Sequence, residues 1–281
     1  MNGLLRHITT QLQAVYPADE ARGVAWWILE ETTGLSRTQI LTDCKDTTIS
    51  RDMQAIVDRL LKKEPIQYIF GHTLWCGLDL RVTPATLIPR PETAELVEQI
   101  SHHLSPLTIS HSPLQVLDIG TGSGCIALAL KQTHPDWQVT GIDISAEAIE
   151  VARENARRNH LEVEFIEADI FDKNLKSQIS NLKYDAVVSN PPYIAESERA
   201  EMDTNVLDYE PATALFVPDD DPLRFYRRIA ELRLGEWLFF EINPRYAEQL
   251  VEMLQGLGYQ DITLHHDIYQ QTRILSGRIA R

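Results

Sequence analysis

The chain passes from an apolar run into a glycine-rich turn at Val116-Leu117-Asp118-Ile119-Gly120-Thr121-Gly122-Ser123-Gly124. The apolar run is typical of a buried strand, and the residues after Gly124 have the pattern of a helix. Glycines are needed where a backbone turns sharply and where a ligand must approach main-chain atoms. Residues 116–124 therefore predict a strand, a ligand-binding turn and a helix, the first unit of a nucleotide-binding sheet.

The rest of the chain beyond this turn alternates between predicted strands and predicted helices. The strands after residues 115–119 are predicted at 139–144, 163–168, 184–189, 236–242, 262–266 and 273–279. The helices are predicted after Gly124 and at 146–159 and 244–257. This alternation predicts an α/β fold with a mostly parallel sheet that is wrapped by helices.

The N-terminal part of the chain has a different pattern. Apolar residues recur at helical spacing in three stretches, 4–15, 19–31 and 51–63, and we expect Trp26 and Trp27 to lie in the core of a small helical bundle. Two short alternating runs, 74–76 and 78–82, meet at Gly77 and predict a β-hairpin. We divide the chain into a helical domain over 1–72, a hairpin linker over 73–89 and an α/β domain over 90–281.

The composition argues against several classes of protein. The 281 residues carry a formal charge of −15, which disfavours nonspecific attraction to DNA phosphates. Since no apolar stretch approaches the roughly 20 residues that cross a bilayer, and the N-terminus lacks a secretory apolar segment, we expect a cytoplasmic protein that does not bind membranes. We also expect a monomer. Cys44, Cys76 and Cys125 are widely spaced, so neither a disulfide framework nor a metal site is expected.

Acidic residues follow the next two predicted strands. Asp143 lies nineteen positions after Gly124, where a carboxylate can accept hydrogen bonds from both ribose hydroxyls of an adenosine-containing cofactor. Asp169 and Ile170 follow the third strand, and we expect them to meet the adenine amino group and to cover its ring. These residues do not determine which cofactor binds. Residues 122–127 also match the dinucleotide-binding fingerprint of dehydrogenases, in the form that ends in alanine.

The fourth strand ends in the sequence Ser189-Asn190-Pro191-Pro192-Tyr193. Two successive prolines restrict the backbone, so that the Asn190 side chain and the Pro191 carbonyl are held as hydrogen-bond acceptors. Two acceptors can hold the hydrogens of a planar NH2 group and direct its lone pair toward a methyl donor, while Tyr193 supplies a flat surface. The motif predicts a methyltransferase that acts on a conjugated nitrogen and disfavours a dehydrogenase.

With these motifs, the chain resembles the HemK/PrmC family, the peptide chain release factor glutamine methyltransferases. The resemblance covers nearly the whole chain and includes residues 64–69 with Gly71, 87–93 and 240–242. The Pro-Arg-Pro-Glu-Thr segment at 89–93 is the most specific to the family. The resemblance implies a helical N-terminal domain that recognises the substrate, a β-hairpin linker and a seven-stranded, Rossmann-like class I methyltransferase domain.

The resemblance also implies S-adenosylmethionine as methyl donor, S-adenosylhomocysteine as product, and the glutamine of the Gly-Gly-Gln tip of release factors as acceptor. It assigns the cofactor to Gly120, Thr121, Gly122, Ser123, Gly124, Asp143, the position of Ile170 and Asn190. It assigns the glutamine to Asn190, Pro191, Pro192 and Tyr193, and we add Arg90 and Glu92 as substrate contacts. Some members of the family have tryptophan at the position of Ile170, and a glycine is common at the position of Asn243.

Two alternatives remain open from the sequence. The exocyclic amine of adenine in DNA has similar chemistry and would have to be flipped out of the duplex. A chain that binds release factors without catalysis is also possible, because a fold does not establish an activity.

Overall fold

The computed structural model describes residues 3–42, 49–105, 113–179, 183–267 and 270–279. The chain divides into two compact units, one formed by Met1–Gly71 with Asp203–Tyr209 and the other by His72–Met202 with Glu210–Arg281. Each unit has a hydrophobic core of its own.

The first unit is helical. Its helices are α1 (Gly3–Leu12), α2 (Ala18–Thr33), α3 (Arg37–Thr42), α4 (Arg51–Leu60), α5 (Ile66–Phe70) and α10 (Thr204–Tyr209). The Ser50 hydroxyl caps α4 by accepting a hydrogen bond from the backbone N–H of Met53 over 3.2 Å. The expected core position of the two tryptophans is confirmed, because Trp26 is buried and Trp27 packs beside it, with its ring 6.1 Å from that of Phe70.

The second unit contains a hairpin and a seven-stranded sheet. Its strands are β1 (His72–Trp75), β2 (Leu78–Arg81), β3 (Gln115–Ile119), β4 (Gln138–Asp143), β5 (Glu164–Glu167), β6 (Tyr184–Ser189), β7 (Ile194–Ala195), β8 (Phe216–Val217), β9 (Gly235–Glu241), β10 (Gln260–His266) and β11 (Thr272–Arg278). Its helices are α6 (Pro91–Leu104), α7 (Cys125–Thr133), α8 (Ala146–Arg158), α9 (Leu175–Gln178), α11 (Arg224–Leu232) and α12 (Ala247–Gly256).

The strand order of the large sheet is β10-β11-β9-β6-β3-β4-β5. Strands β5, β4, β3, β6 and β9 are parallel, whereas β11 and β10 are antiparallel additions at one edge. The chain leaves β3 toward β4 on one side and later returns to β6 on the other. Open α/β sheets bind ligands outside the carboxyl ends of their strands at such a switch point. The predicted α/β fold, its seven strands and the hairpin are therefore confirmed.

The hairpin is held against α8 by two asparagines, Asn155 within the helix and Asn159, which follows its last residue. Asn155 pairs with both backbone groups of Arg81, and Asn159 pairs with both backbone groups of Asp79. Because Asn155 and Asn159 are four residues apart, they lie on the same face of the helix. This face pairs with alternate residues of β2 through side-chain amides.

Some elements differ from the sequence-based expectation. Helix α11 was not predicted, and neither were β7 and β8, which pair in parallel. The predicted helix at 244–257 is divided, because residues Pro244–Tyr246 form a 3-10 helix before α12 begins. Asn243 caps this turn by accepting a hydrogen bond from the backbone N–H of Arg245 over 3.1 Å.

Cys76 and Cys125 are free thiols, and Cys44 lies outside the described residues. Among the residues that the structure describes, no group of His, Cys, Asp and Glu side chains could hold a metal ion. No helix in the same part of the chain has the length and apolar character needed to cross a membrane.

Candidate cofactor and substrate site

A cavity of about 640 Å³ lies at the carboxyl ends of the parallel strands in the second unit. We call it the strand-end cavity; it is formed by the turn after β3, the ends of β4, β5 and β6, and residues 84–90 and 211–216. The structure brings these predicted residues together in its wall: Arg90, Gly120, Thr121, Gly122, Ser123, Asp143, Asp169, Ile170, Asn190, Pro191 and Pro192. Gly124, Tyr193 and Glu92 do not line the cavity.

The glycine turn is fixed to the neighbouring strand by its backbone. The N–H groups of Gly120 and Thr121 both donate to the carbonyl oxygen of Ile142, over 2.9 and 3.0 Å. Gly120 and Gly122 have positive φ angles of 71° and 54°, which side-chain-bearing residues rarely adopt. A Cβ atom at either glycine would meet nothing within 4 Å, so the main chain faces open space that a ligand can approach.

The Asp143 carboxylate is held at the edge of this turn. Its Oδ2 accepts a hydrogen bond from the N–H of Gly122 over 2.9 Å, and its Oδ1 accepts one from the N–H of Ser145 over 2.9 Å. Burial raises the pKa of Asp143, and hydrogen bonds from Ser145 and Gly122 oppose this shift. Each carboxylate oxygen retains further acceptor capacity, which suits two ribose hydroxyls.

A second carboxyl group lies within the strand below the turn. Asp118 is fully buried, and its Oδ2 accepts a hydrogen bond from the Thr121 hydroxyl over 2.6 Å. Burial raises the pKa of Asp118 to about 7. Sequence reasoning gave this residue no role, although an acidic residue within an apolar strand was a signal that could have drawn attention to it.

Apolar side chains form another part of the wall. Ile170 is buried, whereas Ile144 and Phe171 are 65% and 39% exposed. Phe171 meets Phe225 edge to face at 5.5 Å, and the guanidinium of Arg224 lies 4.9 Å from the centre of its ring. This wall suits a flat apolar group such as a purine. Ile144, Phe171 and Arg224 were not predicted, because a sequence does not reveal which apolar residues stay exposed.

Asp169 lines the cavity beside Ile170. Its Oδ1 accepts a hydrogen bond from the N–H of Phe171 over 2.8 Å, which turns this oxygen toward its own loop. Within the part of the chain that the structure describes, the other carboxylate oxygen has no hydrogen-bond partner, so it is available for a ligand.

The Asn-Pro-Pro-Tyr motif follows β6 and is tied to β3. The Ser189 hydroxyl donates to the carbonyl oxygen of Ile119 over 2.6 Å, and Nδ2 of Asn190 donates to Oγ1 of Thr93 over 3.3 Å. Within the described residues, neither Oδ1 of Asn190 nor the carbonyl oxygen of Pro191 accepts a hydrogen bond. Two acceptors in the cavity wall are thus available to an NH2 group.

Tyr193 does not line the cavity. Its ring packs against the core, and its hydroxyl donates to Oε1 of Glu241 over 3.1 Å. Burial raises the pKa of Tyr193, as does the neighbouring Glu241 carboxylate, so the phenol keeps its proton.

Asn243 supports the same motif from the other side. Its Nδ2 donates to the carbonyl oxygen of Tyr193 over 3.3 Å. Its φ angle is −76°, an ordinary value, so glycine is not required here. The departure from the family pattern thus adds a side-chain contact to the motif without straining the backbone.

Arg90 lines the cavity but is held by a buried partner. Its guanidinium forms an ion pair with Glu210, and the same carboxylate accepts a hydrogen bond from the N–H of Ile88 over 3.1 Å. The Trp75 indole N–H donates to the carbonyl oxygen of Arg90 over 2.8 Å. Glu92 lies in the first turn of α6, outside the cavity wall.

Comparison with known families gives this site its context. Residues 3–71 match the PrmC N-terminal domain, and residues 96–208 match the Methyltransferase small domain. The release factor glutamine methyltransferase of Bacteroides thetaiotaomicron is 43% identical to this chain, over 99% of both chains. The chain belongs to the release factor glutamine methyltransferase family. The Flavobacterium psychrophilum member of this family is 38% identical, over 97% of this chain and 98% of its own.

Solved structures agree on the fold. The N-terminal domain of human METTL16 in complex with SAH matches with a TM-score of 0.52 and 19% identity, over 73% of this chain and 77% of that one. A methyltransferase from Pyrococcus furiosus matches with a TM-score of 0.50 and 17% identity, over 83% of this chain and 100% of that one. At these identities the likeness shows the fold alone. The predicted membership of the release factor glutamine methyltransferase family and the class I methyltransferase fold are both confirmed.

Proposed function

We propose that this chain transfers a methyl group from S-adenosylmethionine to the side-chain amide nitrogen of the glutamine in the Gly-Gly-Gln motif of peptide chain release factors. The observation that carries the proposal is the pair of available acceptors, Asn190 Oδ1 and Pro191 O, in a cavity beside a glycine turn and Asp143. The names of the relatives supply the identity of the substrate.

The residues of the strand-end cavity fit the methyl donor. The open main chain of residues 120–123 suits its amino-acid part, Asp143 suits its ribose hydroxyls, and Ile144, Ile170 and Phe171 suit its adenine ring. Asp169 would meet the adenine amino group. The volume of about 640 Å³ is within the usual range of about 300–1,000 Å³ for small-molecule sites. When bound, S-adenosylmethionine supplies an electrophilic methyl group.

The chemistry of the proposed acceptor explains the need for two oxygens. The lone pair of an amide nitrogen is conjugated with the carbonyl group, so the nitrogen is a poor nucleophile. Asn190 Oδ1 and Pro191 O can accept its two hydrogens and turn the lone pair toward the methyl group. Because two prolines restrict the backbone, little freedom is lost when the substrate binds. The excess proton leaves the nitrogen after the methyl transfer.

Two other functions are less well supported. Adenine in DNA carries a similar NH2 group, but the charge of −15 disfavours a duplex, and the match to the PrmC N-terminal domain favours a protein substrate. A non-catalytic role does not account for a cavity that brings together the glycine turn, Asp143 and the two acceptors of Asn190 and Pro191. We propose that residues 1–72 recognise the release factor and that the chain acts as a monomer in the cytoplasm, where release factors work.

A transfer assay tests this proposal. Purified chain, labelled S-adenosylmethionine and a purified release factor should give label in the release factor. A factor whose Gly-Gly-Gln glutamine is replaced by alanine should stay unlabelled, and so should duplex DNA. Equal labelling of the alanine control, or labelling of DNA alone, would overturn the proposal.

A further inference from the structure

Side chains from three separate segments form one hydrogen-bonded chain behind Asn190. Nδ2 of Asn190 lies 3.3 Å from Oγ1 of Thr93, and that hydroxyl lies 2.7 Å from Oε2 of Glu241. The other carboxylate oxygen of Glu241 accepts a hydrogen bond from the Tyr193 hydroxyl over 3.1 Å. Thr93 and Glu241 are 2% and 3% exposed, so water does not compete for these groups.

Glu241 decides in which direction these hydrogen bonds are donated. An ionised carboxylate has only acceptors, whereas a hydroxyl has one hydrogen to donate. Burial raises the pKa of Glu241, and the hydrogen bonds from Thr93 and Tyr193 and the charge of Arg273 oppose that shift. With both hydroxyl hydrogens directed at Glu241, the oxygen of Thr93 offers only lone pairs to Asn190.

This direction decides which end of the Asn190 amide faces the cavity. The two ends of an asparagine amide have the same size, but one is a donor and the other an acceptor. Only Nδ2 of Asn190 can donate a hydrogen bond to the lone pairs of Thr93. Oδ1 is therefore the end of the amide that faces the cavity. A flipped amide would instead present its own NH2 to the substrate NH2, and two donors cannot hydrogen-bond to each other.

We propose that Glu241, acting through Thr93, is a positioning residue that keeps Oδ1 of Asn190 directed at the hydrogens of the substrate amide. This inference rests on the proposed function, since it names what orients the acceptor of the same site. Neither Glu241 nor Thr93 needs to touch the substrate. Thr93 links two residues that are distant in sequence, because Asn190 and Glu241 lie 97 and 148 residues after it.

The first test uses variants that keep side-chain shape. In Glu241→Gln an NH2 group can donate to Thr93, whose hydrogen then points at Asn190 and favours the flipped amide. We expect kcat for release-factor methylation to fall about 10- to 100-fold, with cofactor affinity within about twofold of wild type. Thr93→Val, which removes the hydroxyl but keeps the branched shape, should cause a similar loss, whereas Thr93→Ser should retain most activity.

The second test uses the reversed direction of the hydrogen bonds through Thr93 in Glu241→Gln. In Asn190→Asp the new carboxylate has no donor to offer Thr93, whose hydrogen is already directed at Glu241. In the double variant Asn190→Asp/Glu241→Gln, the glutamine can donate to Thr93 and Thr93 to the new carboxylate. We expect the double variant to have a higher kcat than Asn190→Asp alone, by about threefold or more. If Glu241 had a merely structural role, the fold-losses of kcat in Asn190→Asp and Glu241→Gln would multiply in the double variant.

The outcomes separate this inference from the proposed function. If the wild-type chain labels the glutamine-to-alanine release factor as strongly as the normal factor, the proposed function fails. If the wild type methylates the glutamine but a folded Glu241→Gln has normal kcat, or the two losses multiply, only the inference is overturned. Should Glu241→Gln fail to fold, equal activities of Thr93→Val and Thr93→Ser would also overturn it.

Discussion

Asn155 donates a hydrogen bond to the carbonyl oxygen of Ser123 over 2.8 Å, although 32 residues separate them. The same buried amide accepts from the N–H of Arg81 over 2.6 Å and donates to the carbonyl oxygen of Arg81 over 3.0 Å. One side chain therefore ties the glycine turn to the hairpin strand β2. This amide therefore holds the turn that is proposed to bind the cofactor, in addition to the backbone bonds from Gly120 and Thr121 to Ile142.

Replacing this amide should affect both stability and cofactor binding. Asn155→Leu leaves a buried carbonyl of Ser123 and two partly buried backbone groups of Arg81 without this partner, so we expect the free energy of unfolding to fall by about 2–4 kcal/mol. Chemical unfolding and calorimetric titration with S-adenosylmethionine would measure both effects. Asn159→Ala is the matched control, because Asn159 bonds to Asp79 and not to the turn. Unchanged cofactor affinity in Asn155→Leu would contradict the positioning role.

Asp143→Ala should chiefly weaken cofactor binding. The variant removes the carboxylate that accepts from Gly122 and Ser145 and that is proposed to hold the ribose. We expect the Kd for S-adenosylmethionine to rise about tenfold or more, as calorimetry would measure. Asp169→Asn, which keeps an acceptor for the N–H of Phe171, should have a smaller effect. An unchanged Kd for Asp143→Ala would mean that the ribose lies elsewhere.

The sequence predicted the sheet well because its strands are apolar and its turns are marked by glycine and proline. It did not predict residues 194–217 as structured, since β7 and β8 have only two residues each and 3-10 turns give no periodic signal. Helix α11 was missed although one of its faces is buried. Partners far apart in the chain, such as Arg90 with Glu210, are fixed by tertiary packing and leave no local signal.

Within the site, the residues predicted from motifs line one cavity, with the exception of Gly124, Tyr193 and Glu92. The position of Gly124 has a packing reason, because a Cβ atom there would lie 3.0 Å from the Phe165 ring. The role of Thr93 and Glu241 was not predicted from sequence, since it depends on the direction of hydrogen bonds between three separate segments.

Asn190→Ala should reduce turnover far more than cofactor affinity. Oδ1 of Asn190 is proposed to accept a hydrogen of the substrate amide, and this interaction becomes stronger as the nitrogen changes shape. We expect kcat to fall by about 100-fold or more, with a much smaller change in the Kd for S-adenosylmethionine. Single-turnover assays and calorimetry on the same preparation would separate the two quantities. A variant with normal turnover would exclude this role.

The buried Asp118 should make stability depend on pH. Its pKa rises from 3.8 to about 7 in the folded chain, so the folded state binds this proton more tightly than the unfolded state. Its stabilising contribution is fully present below about pH 4 and is lost as the pH rises through about 7. Asp118→Asn cannot ionise, so its free energy of unfolding should fall less than that of wild type between about pH 4 and 7. Denaturant unfolding at several pH values would measure the difference, and parallel curves would contradict the assignment.

Mass mapping of the modified release factor is the most direct test of the central proposal. After incubation with the chain and S-adenosylmethionine, the peptide that contains the Gly-Gly-Gln motif should gain the mass of one methyl group, and fragmentation should locate it on the glutamine side chain. A methyl group on another residue, or an unmodified peptide after incubation with a chain that binds S-adenosylmethionine normally, would contradict the proposed function.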